Sequence, residues 1–114
     1  MDKLTRLSKT KDIEAILKNG KAFFTKDLTV KFLPNNLQVT RLAVIVSNAV
    51  HKNSTIRNRI RRILKDQFRK ENPNFTVPLD LIIIVAKSIS KYPTPKERDL
   101  KVWESLTYAI KKIR

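Results

Sequence analysis

Residues 52–70 read KNSTIRNRIRRILKDQFRK, with Lys52, Arg57, Arg59, Arg61, Arg62, Lys65, Arg69 and Lys70 set against one acid, Asp66. Wound at 100° per residue, Ile56, Ile60, Ile63, Leu64 and Phe68 collect on one side of a helix. Asn58, Arg61, Arg62, Lys65 and Arg69 collect on the other. The apolar side must dock on a core, so the rest of the chain has to supply a sheet or helices to receive it. The basic side then faces outward with almost nothing to neutralise it. A polyphosphate chain is the partner that would offset such repulsion.

The whole chain shares this bias: 25 Lys and Arg against 10 Asp and Glu give a formal charge of +15 over 114 residues. With 41% hydrophobic residues and no Pro/Gly/Ser linker, a single domain over residues 1–114 is expected. There is no cysteine, which excludes disulfides and thiolate metal sites and suits a reducing compartment. Asp12 and Glu14 interrupt the N-terminal stretch, so no secretory signal is expected. The longest apolar run, Leu81 to Ala86, falls far short of the roughly 20 residues of a membrane-spanning helix and reads as a buried strand. No partnership with a membrane is expected, and the cytoplasm is the expected location.

Along the chain, Thr10 stands before a short amphipathic helix carrying Ile13, Ile16 and Leu17, and Gly20, the only glycine, reads as its left-handed cap. An extended segment from Phe23 to Leu33 turns at Pro34-Asn35-Asn36 and returns as a strand over residues 37–46; a hairpin is the expected connection. Asn53 or Ser54 caps the basic helix, and Asn72-Pro73-Asn74 stops it. After the 81–86 strand, Thr94-Pro95-Lys96-Glu97 forms a capping box. The last helix then presents Leu100, Trp103, Leu106, Ile110 and Ile113 on one face, ahead of Lys111 and Lys112. The class is α+β.

Residues for protein-borne catalysis are sparse. His51 is the only histidine and has lysine beside it, which favours a phosphate contact or a plain loop role over general-base chemistry. The carboxylates are scattered, with Asp66 expected to pair with Arg62 or Lys70, and no acidic group suggests a metal. Phe68, Trp103 and Phe32 are expected in the core. Phe23 and Phe24 are adjacent, so a strand sends them to opposite faces and leaves one available for stacking on single-stranded RNA. A DNA-reading helix-turn-helix is disfavoured, because a strand rather than a helix precedes the basic helix.

The run Arg57-Asn58-Arg59-Ile60-Arg61-Arg62, with Arg41-Leu42-Ala43-Val44-Ile45-Val46-Ser47 before it and Ile63-Leu64-Lys65 after it, resembles the arginine-rich signature of the bacterial ribonuclease P protein subunit. The resemblance extends through Arg6-Leu7, Gly20-Lys21, the strand from Asp80 to Ala86 and the last helix. It implies a two-layer α/β sandwich like domain 2 of ribosomal protein S5, in the order αβββαβα, with a left-handed βαβ crossover through the basic helix. Periodicity alone predicts the commoner right-handed connection.

The same resemblance implies an endoribonuclease subunit, probing the 5′ leader of precursor tRNA while the ribonuclease P RNA performs the cleavage. Mg2+ would be required by the RNA-containing holoenzyme, with no cofactor or catalytic residue on the protein, no DNA partner, and a monomer bound 1:1 to the RNA. Lys52, Arg57, Asn58, Arg59, Arg61, Arg62, Lys65 and Arg69 would contact the RNA subunit. Arg57 and Arg59 fall on the flanks of the ridge, and bracing the loop or the sheet edge is their other reading. The leader cleft would be lined by Ile13, Leu17, Phe24, Lys31 and Tyr108, with Lys31 placed to grip phosphate. The alternative is a ribosomal-type structural RNA-binding protein with no part in cleavage.

Overall fold

The computed structural model describes residues 4–71 and 77–113. Its elements are β1 (Leu4–Arg6), α1 (Thr10–Asn19), β2 (Lys21–Phe24), β3 (Leu28–Pro34), β4 (Thr40–Ile45), α2 (Ser54–Glu71), β5 (Leu79–Val85), a 3-10 turn (Lys87–Lys91) and α3 (Pro95–Ile113). The strands form one five-stranded sheet in the order β1-β4-β5-β3-β2. The short β1 adds a strand ahead of the implied order. Asn72, Pro73 and Asn74 lie outside the described residues.

β5 occupies the middle because its side chains are apolar on both faces after Asp80. Alternate residues therefore need cover above and below the sheet. It pairs in parallel with β4 (Leu42↔Leu81, Val44↔Ile83) and antiparallel with β3 (Val30↔Ile83, Phe32↔Leu81). This corrects the expected hairpin between residues 23–33 and 37–46: β3 and β4 are separated by β5, which the later part of the chain inserts between them. The hairpin that does form joins β2 to β3, with Thr25 Oγ1 donating to the Leu28 carbonyl at 3.0 Å. Beneath that turn, the buried Asp27 accepts from Ser88 Oγ at 2.8 Å and Tyr92 Oη at 3.0 Å. Partial burial and the facing carboxylate hold the Tyr92 phenol above its ordinary pKa.

On one face, Leu28, Val30, Leu42, Leu81, Ile83 and Val85 meet Ile60, Leu64 and Phe68 of α2 and Val102, Leu106, Ala109 and Ile110 of α3. These two helices form the helical layer of the sandwich. They run side by side in one direction, since Arg59 meets Asp99 while Gln67 meets Trp103 and Thr107 further along. On the other face, α1 alone seats Ile16 against Leu7 and Ile82, with Ile13 and Leu17 around it.

Four expectations need correction. The buried side of α3 is Arg98, Val102, Leu106, Ala109 and Ile110, so Leu100 and Trp103 are half-exposed rather than core. Gly20 is extended, with φ −71° and ψ 155°, not left-handed. Its lack of a side chain serves a close approach, because a Cβ there would stand 2.5 Å from the Ile16 carbonyl oxygen and 3.0 Å from that of Phe32. Asp66 pairs with Arg69 at 3.4 Å rather than with Arg62 or Lys70. At the helix starts, Asn53 Oδ1 accepts from the Thr55 N–H at 2.8 Å and Thr94 Oγ1 from the Glu97 N–H at 3.2 Å. Thr10 is already helical, behind Lys9.

Candidate nucleic-acid interface

Ile60, Leu64 and Phe68 bury the keel of α2 and turn the opposite side of the helix to solvent. The cations there divide into two groups. Arg57 Nη1 donates to the carbonyls of His51 and Lys52, both at 2.8 Å, and so braces the loop before the helix. Arg61 donates to Asn58 Oδ1 and, at 3.4 Å, to the Val46 carbonyl. Arg59 is tied to Asp99 of α3 at 2.7 Å, and the hydrogen bond and charge of that carboxylate raise its pKa further. Arg69 leans on Asp66.

The side chains of Lys52, Arg62 and Lys65, by contrast, have no hydrogen-bond or ion-pair partner among the described residues. The first turn of α2 contains no acid, leaving the positive end of its dipole uncompensated. The arrangement is one of braced cations, which shape the surface, and free ones, which are available to phosphate.

The second feature lies on the α1 face of the sheet. Strand alternation and register set out rows of side chains across it. Leu33, Asp80 and Arg41 form one row; Lys31, Ile82 and Ala43 form the next; Thr29, Ile84 and Ile45 form a third. Phe24 and Ala22 extend the rows onto edge strand β2. The helix covers the first two rows. Arg41 holds Asp12 in its first turn at 3.1 Å, and Lys31 Nζ donates to the Leu17 carbonyl in its last turn at 2.8 Å. Thr29, Ile45 and Ile84 remain partly exposed, and Phe24 is 69% exposed. Ile45 and Ile84 pack in one cluster with Ile13 and Leu17 of α1, and Thr29 and Phe24 continue this half-exposed strip to the sheet edge.

Of the five cleft candidates, Ile13, Leu17, Phe24 and Lys31 gather here. Tyr108 does not: it lies on the opposite face, its ring centroid 5.8 Å from that of Phe23 and its ring under Lys112 Nζ. Alternation along β2 explains the separation, since Phe23 and Phe24 point to opposite sides. Sequence reading missed Thr29, Ile45 and Ile84, although their places follow once the register against β5 is known. Loop 46–53 carries the chain from Ile45, on the α1 face, to the start of α2 on the opposite face.

His51 Nδ1 accepts from the Asn53 N–H at 3.1 Å, which makes the histidine a loop-shaping residue. No group of three or more His, Cys, Asp or Glu able to hold a metal ion occurs among the described residues.

A ribonuclease P family model matches residues 1–113. The chain belongs to the ribonuclease P protein family. It is a protein subunit of ribonuclease P, the ribonucleoprotein endoribonuclease of tRNA 5′ processing, and the ribosomal-type alternative falls away. It is similar to the ribonuclease P protein component of Caldanaerobacter subterraneus subsp. tengcongensis, at 33% identity over 79% of this chain and 77% of that protein. The Staphylococcus epidermidis component is 30% identical over 97% of this chain and 91% of its own length. Among solved structures, the Thermotoga maritima RNase P protein has a TM-score of 0.79 at 27% identity, covering 96% of this chain and 97% of that one. The Staphylococcus aureus RNase P protein shares the fold, with a TM-score of 0.83 at 23% identity over 98% of this chain and 97% of that one. Within the described residues no helix is long and apolar enough to cross a membrane.

Proposed function

We propose that this ribonuclease P protein docks through the α2 ridge on the ribonuclease P RNA, one protein per RNA, and holds the 5′ leader of precursor tRNA in the cleft between α1 and the sheet. Lys52, Arg62 and Lys65 bind RNA phosphates; Arg57, Arg59, Asn58 and Arg61 act mainly by holding the loop and helix that present them. Phe24 offers its exposed ring to an unpaired base, while Ile45 and Ile84 supply the apolar floor. The RNA carries Mg2+ and the hydrolytic step, while the protein supplies cations and stacking area. Acting on precursor tRNA, the complex works in the cytoplasm.

The observation that carries this reading is the pair of surfaces on the described residues: an acid-poor helix start with the side chains of Lys52, Arg62 and Lys65 open to phosphate, and a half-exposed apolar strip with Phe24 beside α1.

The test is 5′-leader cleavage of a precursor tRNA at low Mg2+, by the protein, a bacterial ribonuclease P RNA, and both together. Cleavage that is much faster with both is the expected result. Equal rates with and without the protein, despite tight RNA binding, would overturn the proposal, and so would cleavage by the protein alone.

A further inference from the structure

Helix α1 is a ten-residue helix, and Ile16 is its only fully buried side chain. Such a short helix is marginal by itself. Beyond that knob only the partly buried Ile13 and Leu17 pack it on the sheet, so its angle depends on few contacts, and any change in that angle moves both side chains. Two polar ties sit on either side of the knob, Asp12 to Arg41 before it and Leu17 to Lys31 after it.

The tie at Asp12 is preorganised. Arg41 Nε and Nη2 grip both oxygens of Asp80, at 2.8 and 2.6 Å, leaving Nη1 to reach Asp12. Asp80 is itself buried and accepts a third bond, from Asn35 Nδ2 at 2.8 Å. The guanidinium is therefore fixed by the sheet before α1 meets it, and holding Asp12 costs little further side-chain freedom. Lys31 closes the other end by capping one of the free carbonyls in the last turn of α1.

We infer that Asp12 and Arg41 are positioning residues for leader recognition: with Lys31 they lock the angle of α1 on the sheet and so set the width of the cleft. The inference rests on the leader-binding reading of that cleft. It also reassigns Lys31, whose ammonium is engaged with α1 and keeps two further N–H donors for a phosphate passing over it. Three of the five guanidinium N–H groups of Arg41 are taken by Asp80 and Asp12, so its part here is to hold α1.

The test compares Asp12→Ala, Asp12→Glu and Glu14→Ala in the reconstituted holoenzyme. Glu14 is exposed on the same helix and has no partner among the described residues, so its variant matches the charge change without cutting the tie. For each variant, affinity is measured for the RNA subunit, for mature tRNA and for a leader-bearing precursor, with KM and kcat for cleavage. Asp12→Ala should weaken precursor binding about fivefold and raise KM, with kcat, mature-tRNA affinity and RNA-subunit affinity unchanged. Asp12→Glu should restore much of the loss, and Glu14→Ala should show none.

An unchanged or tighter precursor affinity in Asp12→Ala would overturn the inference, the latter by showing that Arg41 is a phosphate ligand released by the substitution. An equal loss for mature tRNA would overturn it too. Failure of the underlying reading is seen separately, in wild-type holoenzyme that binds precursor and mature tRNA equally.

Discussion

Arg57 and Arg62 lie on one helix five positions apart, yet their guanidinium groups are used differently. The Arg57 side chain folds back on two carbonyls of the preceding loop, while Arg62 extends into solvent without an acidic partner among the described residues. A cation that neutralises a phosphate releases a counterion, and the salt dependence of binding records that release. Arg62→Ala and Lys65→Ala should each flatten the slope of log K against log salt for the RNA subunit by up to about one unit. Arg57→Ala should weaken binding with a much smaller change in slope, because it loosens the loop rather than deleting a phosphate contact. Titrating RNA-subunit affinity over a salt series for the three variants checks this. At this scale the sequence was informative about residue type and helix face: the ridge at Asn58, Arg62 and Lys65 follows from helical periodicity. Whether a flanking arginine is braced or free depends on which carbonyls the loop brings within reach, and periodicity carries no such information.

Elements meet at junctions whose demands are set by neighbours far away in sequence. Gly20 joins α1 to β2 with backbone angles open to most residues, so its necessity is steric: the Phe32 carbonyl of β3 and the Ile16 carbonyl of α1 converge on the place of a Cβ. Both are backbone atoms that cannot rotate aside. Gly20→Ala should therefore lower stability by about 2 kcal/mol, as other small-to-large changes in packed sites do. For a domain of this size that is a fall of roughly 10 °C in the melting midpoint, measurable by calorimetry. A midpoint unchanged from wild type would show that the junction has room to relax. The same dependence on neighbours explains the misjudged face of α3. Leu100 and Trp103 share a helical stripe with Leu106 and Ile110, but the face is chosen by contact with α2 and β3, which selects Val102 and Ala109 instead. Small side chains let α3 approach closely, and hydrophobicity ranking alone overlooks them.

The formal charge of +15 belongs to a body whose principal extents are 41 × 26 × 22 Å. In about 0.01 M salt the screening length is roughly 30 Å, so charges across the whole molecule repel one another; at about 0.15 M it shrinks to roughly 8 Å. Raising monovalent salt between these values should increase the melting midpoint by relieving self-repulsion while it weakens RNA binding. Scanning calorimetry and RNA titration on the same salt series would reveal the opposed trends; a midpoint that falls with salt would mean that ion pairs such as Arg41 with Asp80 outweigh the repulsion. The polyphosphate partner, the α+β class, the buried strand after Asp80 and the docking side of α2 were determined by the sequence itself, because charge balance and the periods of helix and strand are local properties. The insertion of β5 between β3 and β4, the separation of Phe24 from Tyr108, the cleft floor of Thr29, Ile45 and Ile84, and the clasp of Arg41 on α1 were decided only by the tertiary structure. Each requires knowing which strands become neighbours, and that choice is made by burying apolar surface between segments distant in the chain, where no local pattern reaches.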